Sequence, residues 1–262
     1  MSYVLENSEE AGRLERQSNL DAYDHIKELS SLILKPNQKI LDAGCGSGLV
    51  SRYLLEKENL LNVEACDVSV LRLRQAMALC NTTIHKKIHF FESTLENILK
   101  ADNSYDVVIC RYVLEHVKNP NQVLSEFFRV LNPGGLVYII DFDGLIFNLF
   151  HQNLELKQKM DHLQTSLQFD PYIGRKIPAL LIQAGFTNPH CLIDTIYFHG
   201  DALIEEQKLM CQRFHFALPA FTSSLGSKEK ALNFIELYCG EMVKTSTTLF
   251  YNKFIVQAQK PF

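Results

Sequence analysis

Three glycines at alternate positions, Gly44, Gly46 and Gly48, follow directly on the apolar run Ile40-Leu41-Asp42-Ala43 and precede a helical pattern that starts at Leu49. Glycine lacks a Cβ, so a strand that breaks into such a run turns sharply, lets its backbone touch a ligand, or both. A bare tight turn is the simpler use. A strand, a glycine turn and a helix in that order also open a βα unit, whose ligand sits at the carboxyl end of the strand.

The segments that follow alternate in the same rhythm. Strands are expected over 39–43, 62–66, 87–91, 105–110 and 136–142, with helices over 49–55 and 70–79 and a weak turn over 95–99. Asn119-Pro120 is a cap and first-turn pair, and Val123, Phe127 and Val130 carry the face of the helix they open. Asn132-Pro133-Gly134-Gly135 ends it. Before the first strand, Ala22, Ile26, Leu29 and Ile33 mark a helical face that Pro36 stops. This alternation predicts a parallel sheet wrapped by helices on both faces. The second half is less regular. Leu156, Met160, Leu163 and Leu167 predict one helix, 172–184 another with Gly185 as its stop, and Ala231, Ile235, Tyr238 and Met242 a third. A helical stretch running to Phe216 and a turn-rich segment over 219–227 lie between strands at 191–198 and 249–258. Helices outside the sheet form a cap.

Composition narrows the class. The chain of 262 residues is 47% hydrophobic and 21% charged, as expected of one α/β domain with a cap. A net charge of -4 offers no global basic field, so no nucleic-acid partner is expected. Cys45, Cys66, Cys80, Cys110, Cys191, Cys211 and Cys239 include no C-x-x-C pair and read as reduced thiols, neither a disulfide frame nor a zinc site; no metal is expected. The first thirty residues are acidic and helical in pattern, which argues against a signal peptide. Apolar runs such as 136–140 fall far short of the ~20 residues of a membrane span, so a soluble, cytoplasmic protein is expected.

Asp42 places a carboxylate at the end of the first strand, where it repels a pyrophosphate but suits an ammonium or another cation. The spacing is Gly-x-Gly-x-Gly, not the Gly-x-Gly-x-x-Gly of dinucleotide sites. Asp67 ends the second strand, where an acidic side chain accepts hydrogen bonds from ribose hydroxyls. Its other reading is an N-cap for the next helix, a role open to Ser69. The loop suits a nucleoside that carries positive charge.

With these residues in place, the sequence resembles the class I S-adenosylmethionine-dependent methyltransferases, of the small-molecule type found in quinone biosynthesis. The likeness rests on 40–48, Cys66-Asp67-Val68-Ser69, Tyr105-Asp106-Val107-Val108 and Leu131-Asn132-Pro133-Gly134-Gly135, in order, and looser matches at Gly174-Arg175-Lys176 and Ala184-Gly185-Phe186. It covers about residues 36–142. The resemblance implies a Rossmann-like, doubly wound, mostly parallel seven-stranded sheet with an antiparallel last strand. It implies S-adenosylmethionine as cofactor, with its methionine portion against Gly44, Cys45 and Gly46 and its amino group near Asp42. Asp67 then meets the ribose, Val68 the adenine, and Thr94 beside Leu95 stands where the family often has an acid facing the adenine amino group. Arg72 occupies a place often apolar, either stacking there or pointing to solvent. Arg111 and Tyr112 border the sulfonium. Ser8 to Gln17 resembles an N-terminal helix that closes over the donor, with Arg13 and Gln17 on one face; a solvated face is the other reading.

Leu114-Glu115-His116-Val117 resembles the same loop in small-molecule relatives, where His116 is either a general base or a packing residue. Methyl transfer from a sulfonium is an in-line displacement, so alignment and exclusion of water are the main tasks. Asp143, Tyr172, Arg175, His215 and Tyr251 are further cap-side candidates; Arg175 either anchors an acidic substrate or braces the cap through backbone carbonyls. Phe142, Phe147, Phe150, Phe214, Phe216 and Phe221 line an apolar or aromatic acceptor's chamber or are ordinary core. The whole chain reads as one methyltransferase domain: an N-terminal helical segment 1–35, a donor-binding core 36–142, and cap insertions with closing strands 143–262. A nicotinamide-dependent oxidoreductase and a donor-binding protein without turnover are the alternatives. The acceptor atom and the oligomeric state are not specified by the sequence.

Overall fold

The computed structural model describes residues 23–58, 60–80, 87–167 and 169–262. Arg13, Gln17, Ala22 and the expected absence of a signal peptide lie outside them. A four-residue helix, α1 (His25–Glu28), leads to β1 (Lys39–Ala43), α2 (Leu49–Lys57), β2 (Asn62–Asp67), α3 (Val70–Leu79), β3 (His89–Glu92) and β4 (Tyr105–Arg111). Then come α4 (Pro120–Val130), β5 (Leu131–Asp143), β6 (Leu149–Phe150), α5 (Leu154–Ser166), α6 (Ile177–Gln183) and β7 (Thr187–Phe198). The remainder is α7 (Gly200–Phe216), α8 (Leu218–Leu225), α9 (Lys228–Met242) and β8 (Thr248–Gln259).

All strands join one eight-stranded sheet in the order β3-β2-β1-β4-β5-β8-β6, with β7 paired to β8. The first five run parallel, and β8 runs antiparallel to both β5 and β7. Near-continuous apolar burial along β1 and β4 follows from helices covering both faces. On one face, Val123, Phe127 and Val130 of α4 pack with Ile177 and Leu181 of α6; on the other, Leu54 and Leu55 of α2 pack with Leu73 of α3 and Leu29. A third core, centred on Phe214, Phe221, Phe234 and Tyr238, joins α5, α7, α8 and α9 into the cap.

The sheet has eight strands, one more than the resemblance implies. The addition is β6, two residues beside the start of β8 and too short to show a period. The long N-terminal helix is also corrected. Of its expected face only Leu29 packs among the described residues, since Ile26 and Ile33 are 54% and 83% exposed, and Tyr23, Glu28 and Leu32 turn inward beside it. The segment 219–227 is mostly helix rather than turn. Pro219 stands in the first turn of α8 and Gly226, at φ 84°, stops it, so its turn-like residues are start and stop signals.

The expectation of free thiols holds for Cys45, Cys66, Cys80, Cys110 and Cys191, whereas Cys211 and Cys239 form a disulfide. The bond ties α7 to α9 across 28 residues of sequence, a pairing created by helix packing and invisible to local spacing. Alkylation of the unfolded, unreduced protein should label five of the seven cysteines by mass spectrometry. Reducing the bond should lower stability in urea by about 3 kcal/mol through the entropy of the released loop.

Candidate active site

The glycine turn closes the carboxyl end of β1. The amides of Gly44 and Cys45 both donate to the Cys66 carbonyl at the end of β2, at 2.8 and 2.9 Å, which pins the loop to the neighbouring strand. Gly44 is at φ +77°, and a Cβ there would lie 2.5 Å from Val113 Cγ2. Glycine is therefore needed twice at that position, for conformation and for approach. Gly46, at φ +52°, has no atom within 4 Å of the place a Cβ would take. The backbone of the turn thus borders open space.

Two carboxylates flank the turn. Asp42 is buried, and Ser51 donates to its Oδ2 from both backbone N and Oγ, at 3.1 and 2.5 Å. Burial outweighs those bonds and, with Asp67 nearby, pushes the Asp42 carboxyl up to about 6. Asp67 accepts from Gly46 N and from Ser69 N, each at 2.9 Å, and burial raises its pKa too. Ser69, not Asp67, caps α3: its Oγ accepts from Arg72 N at 3.3 Å. Val68 remains accessible beside Asp67, whereas Leu95 packs in the sheet core with Ala43 and Cys66. Thr94 is exposed in an isolated bridge to Asn97. Arg72 does not point to solvent: it is buried, and its guanidinium donates to Gln75.

Arg111 and Tyr112, at the end of β4, converge on Glu28. Arg111 Nε donates to Glu28 Oε2 at 2.6 Å and its NH2 to the Tyr23 carbonyl at 3.0 Å. Tyr112 holds φ +57°, costly for a residue with a ring, and its hydroxyl donates to Glu28 Oε1. That turn lays its ring flat on Phe142, 4.1 Å between centroids. Lys253 of β8 donates to the same Glu28 oxygen at 3.1 Å and pairs with Asp194 at 3.2 Å. Glu28 and Lys253 are both fully buried, and sequence reasoning missed both. Lys253 had a signal: it breaks the apolar alternation of Leu249, Tyr251 and Ile255 on one face of β8. Glu28 had none.

His116 ends a 3-10 turn, Leu114–His116, that Asp141 holds by accepting from Leu114 N and Glu115 N at 2.9 and 3.4 Å. Its Nε2 lies 3.3 Å from Glu115 Oε1. Among the cap-side candidates, Arg175 braces the structure through the buried Asp143 carboxylate rather than through backbone carbonyls, with Nε at 2.8 Å from Oδ2. Tyr251 lies in the cap core, Tyr172 accepts from Gln164, and the His215 ring bonds to the Cys211 carbonyl. Of the six phenylalanines, Phe142, Phe214 and Phe221 are core, while Phe150 is 60% exposed.

A glycine turn at the end of β1, acids at the ends of β1 and β2, and an antiparallel β8 beside β5 define the class I methyltransferase architecture. Comparison agrees: residues 41–139 match the methyltransferase domain family. A ubiquinone biosynthesis O-methyltransferase of Rickettsia conorii is 33% identical over 138 residues, 53% of this chain and 45% of that protein. The chain thus spans less than half the length of this curated relative. Among solved structures, phosphoethanolamine N-methyltransferase 2 of Haemonchus contortus in complex with S-adenosyl-L-methionine superposes with a TM-score of 0.60 at 20% identity, over 98% of this chain and 58% of that one. A S-adenosylmethionine-dependent methyltransferase from Methanosarcina mazei gives 0.57 at 19%, over 93% and 100%. The fold is that of the class I methyltransferases, and over about half of its length the chain is similar to ubiquinone biosynthesis O-methyltransferases.

Gly44→Ala should destabilise the protein by about 2–3 kcal/mol in denaturant titration, combining backbone strain and the Val113 clash. Adding Val113→Ala should recover only the steric share, leaving about 1 kcal/mol of conformational cost.

Proposed function

We propose that this chain is an enzyme that transfers a methyl group from S-adenosylmethionine to a small organic acceptor by in-line displacement. The observation that carries the reading is the open glycine turn bordered by two carboxylates, buried Asp42 and half-buried Asp67. The residues fit the cofactor: the space beside Gly46 admits a ligand against bare backbone, and Asp42 and Asp67 favour a cation over a pyrophosphate. A nicotinamide cofactor is disfavoured on the same ground.

When bound, S-adenosylmethionine supplies an electrophilic methyl group on a sulfonium. The backbone at Gly44, Cys45 and Gly46 then receives its methionine portion, Asp42 attracts its ammonium, and Asp67 accepts from ribose hydroxyls while Val68 covers the adenine. Arg111 and Tyr112, fixed by Glu28, keep the end of β4 in place and exclude water there. His116 takes the proton of a hydroxyl acceptor, its ring oriented by Glu115. The core 36–142 serves the donor and the cap encloses the acceptor. A quinone-like aromatic acceptor is supported by the names of the relatives and the rings of the cap. No described helix is long and apolar enough to cross a membrane. A cytoplasmic location is supported by the five free thiols, with the Cys211–Cys239 bond counting against it.

S-adenosylhomocysteine should bind by calorimetry, and Asp67→Ala should weaken it about thirtyfold by removing charge-assisted hydrogen bonds. Absence of binding to the wild-type protein sinks the reading. Below about pH 6 Asp42 is protonated and must release its proton before it can pair with the ligand's ammonium. Affinity should accordingly fall by up to about tenfold for each pH unit below that point and stay level above it. Asp42→Asn should abolish this dependence.

A further inference from the structure

The cap encloses a polar cluster that donor binding does not use. Tyr23 turns its ring into the apolar cap, where it is 1% exposed. The ring meets Tyr112 and Phe142 edge-on, at 6.4 and 5.9 Å between centroids, and Tyr251 at a tilt at 6.4 Å. Its hydroxyl lies 2.6 Å from the Tyr251 hydroxyl, donates to Glu206 Oε1 at 3.1 Å and accepts from Arg213 at 3.2 Å. Glu206 and Arg213 both come from α7 and are buried.

The walls of this slot come from the end of the sheet that carries the glycine turn. Tyr112 follows β4, Phe142 lies near the end of β5, and Tyr251 near the start of the antiparallel β8. Tyr23 lies between Arg111, which holds its carbonyl, and Arg213, which donates to its hydroxyl. A tyrosine placed there only to fill space needs one partner for its hydroxyl. Here a carboxylate, a guanidinium and a second phenol from two separate elements meet it, in an interior where burying charge is costly. Glu206 accepts the proton of a ring hydroxyl and Arg213 donates to its lone pair, which together recognise a phenol oxygen.

We propose that this slot is a recognition site for a flat, hydroxylated aromatic ring, and that Tyr23 is its built-in occupant, standing where the far end of the acceptor sits during turnover. Glu206 and Arg213 are then specificity-determining residues, and the atom that receives the methyl group lies at the opposite end of the ring, towards Arg111. Assigning the slot to the acceptor rests on the methyltransferase reading; the slot as a phenol site does not.

The test is binding of p-cresol, the tyrosine side chain as a free molecule, and of toluene, which lacks the hydroxyl, measured by calorimetry. Tyr23→Ala is expected to bind p-cresol at least tenfold more tightly than wild type does, and at least tenfold more tightly than it binds toluene, with Glu206→Gln in that background erasing the preference. Equal binding of p-cresol to Tyr23→Ala and wild type, or of p-cresol and toluene to Tyr23→Ala, overturns the proposal. The intact protein gives a second measure if the variant fails to fold. With 13C-labelled tyrosine rings, millimolar p-cresol should shift the Tyr23 resonance and toluene should not; an unmoved resonance counts against displacement. S-adenosylhomocysteine titrated into the same sample separates the two readings. Binding of it without a p-cresol preference discards the slot alone, and the reverse discards the methyltransferase reading alone. In turnover, Tyr23→Ala should lower KM for hydroxylated aromatic acceptors severalfold, and a raised KM overturns the assignment to the acceptor.

Discussion

Glu28 has no access to water, and its carboxylate is held by Arg111, Tyr112 and Lys253. Those groups belong to the end of β4 and to β8, and Tyr138 of β5 adds a hydroxyl to the Glu28 carbonyl at 2.7 Å. A buried charge tolerates few arrangements, because removing any one partner strands the others in a medium that solvates them poorly. The position of α1, the conformation of Tyr112 and the register of β8 are in this way mutually fixed. The site depends on that agreement, since Tyr112 and Arg111 form the wall between the glycine turn and the cap.

The sheet core was legible because its signals are local. Strands β1, β2, β4 and β5 carry buried apolar residues, and Asn119-Pro120 and Ser69 begin helices by capping donors a few residues away. Asp42 and Asp67 were readable from their places at strand ends. The N-terminal segment misled because its apolar spacing is helical while its packing is decided by Glu28 and Tyr23, whose partners lie more than eighty residues away. Segment 219–227 misled for a different reason: proline, serine and glycine serve turns and helix ends alike.

The cap shows what pattern alone leaves open. Its apolar faces were visible as four-and-three spacing in α5 and α9, yet nothing in the spacing told that α7 would bring Glu206 and Arg213 to one tyrosine oxygen. The Cys211–Cys239 bond is of the same kind. Polar contacts between elements distant in sequence are fixed by packing, and only a residue that breaks a period, as Lys253 does, announces them beforehand.

Strand β8 has a consequence for how the molecule comes into being. Along twelve residues it gives Leu249 and Tyr251 to the cap, Lys253 to the buried carboxylate, and Ile255 and Val256 to the cores on opposite faces of the sheet. It follows every other described element in sequence. A nascent chain emerging from the ribosome can assemble the five parallel strands early, from short-range contacts, but it holds β5 as a bare edge and leaves β7 without a partner until β8 is released. The cap and the buried Glu28 cluster therefore mature in one late step, and the interval before it is when the chain is most open to pairing with the wrong neighbour.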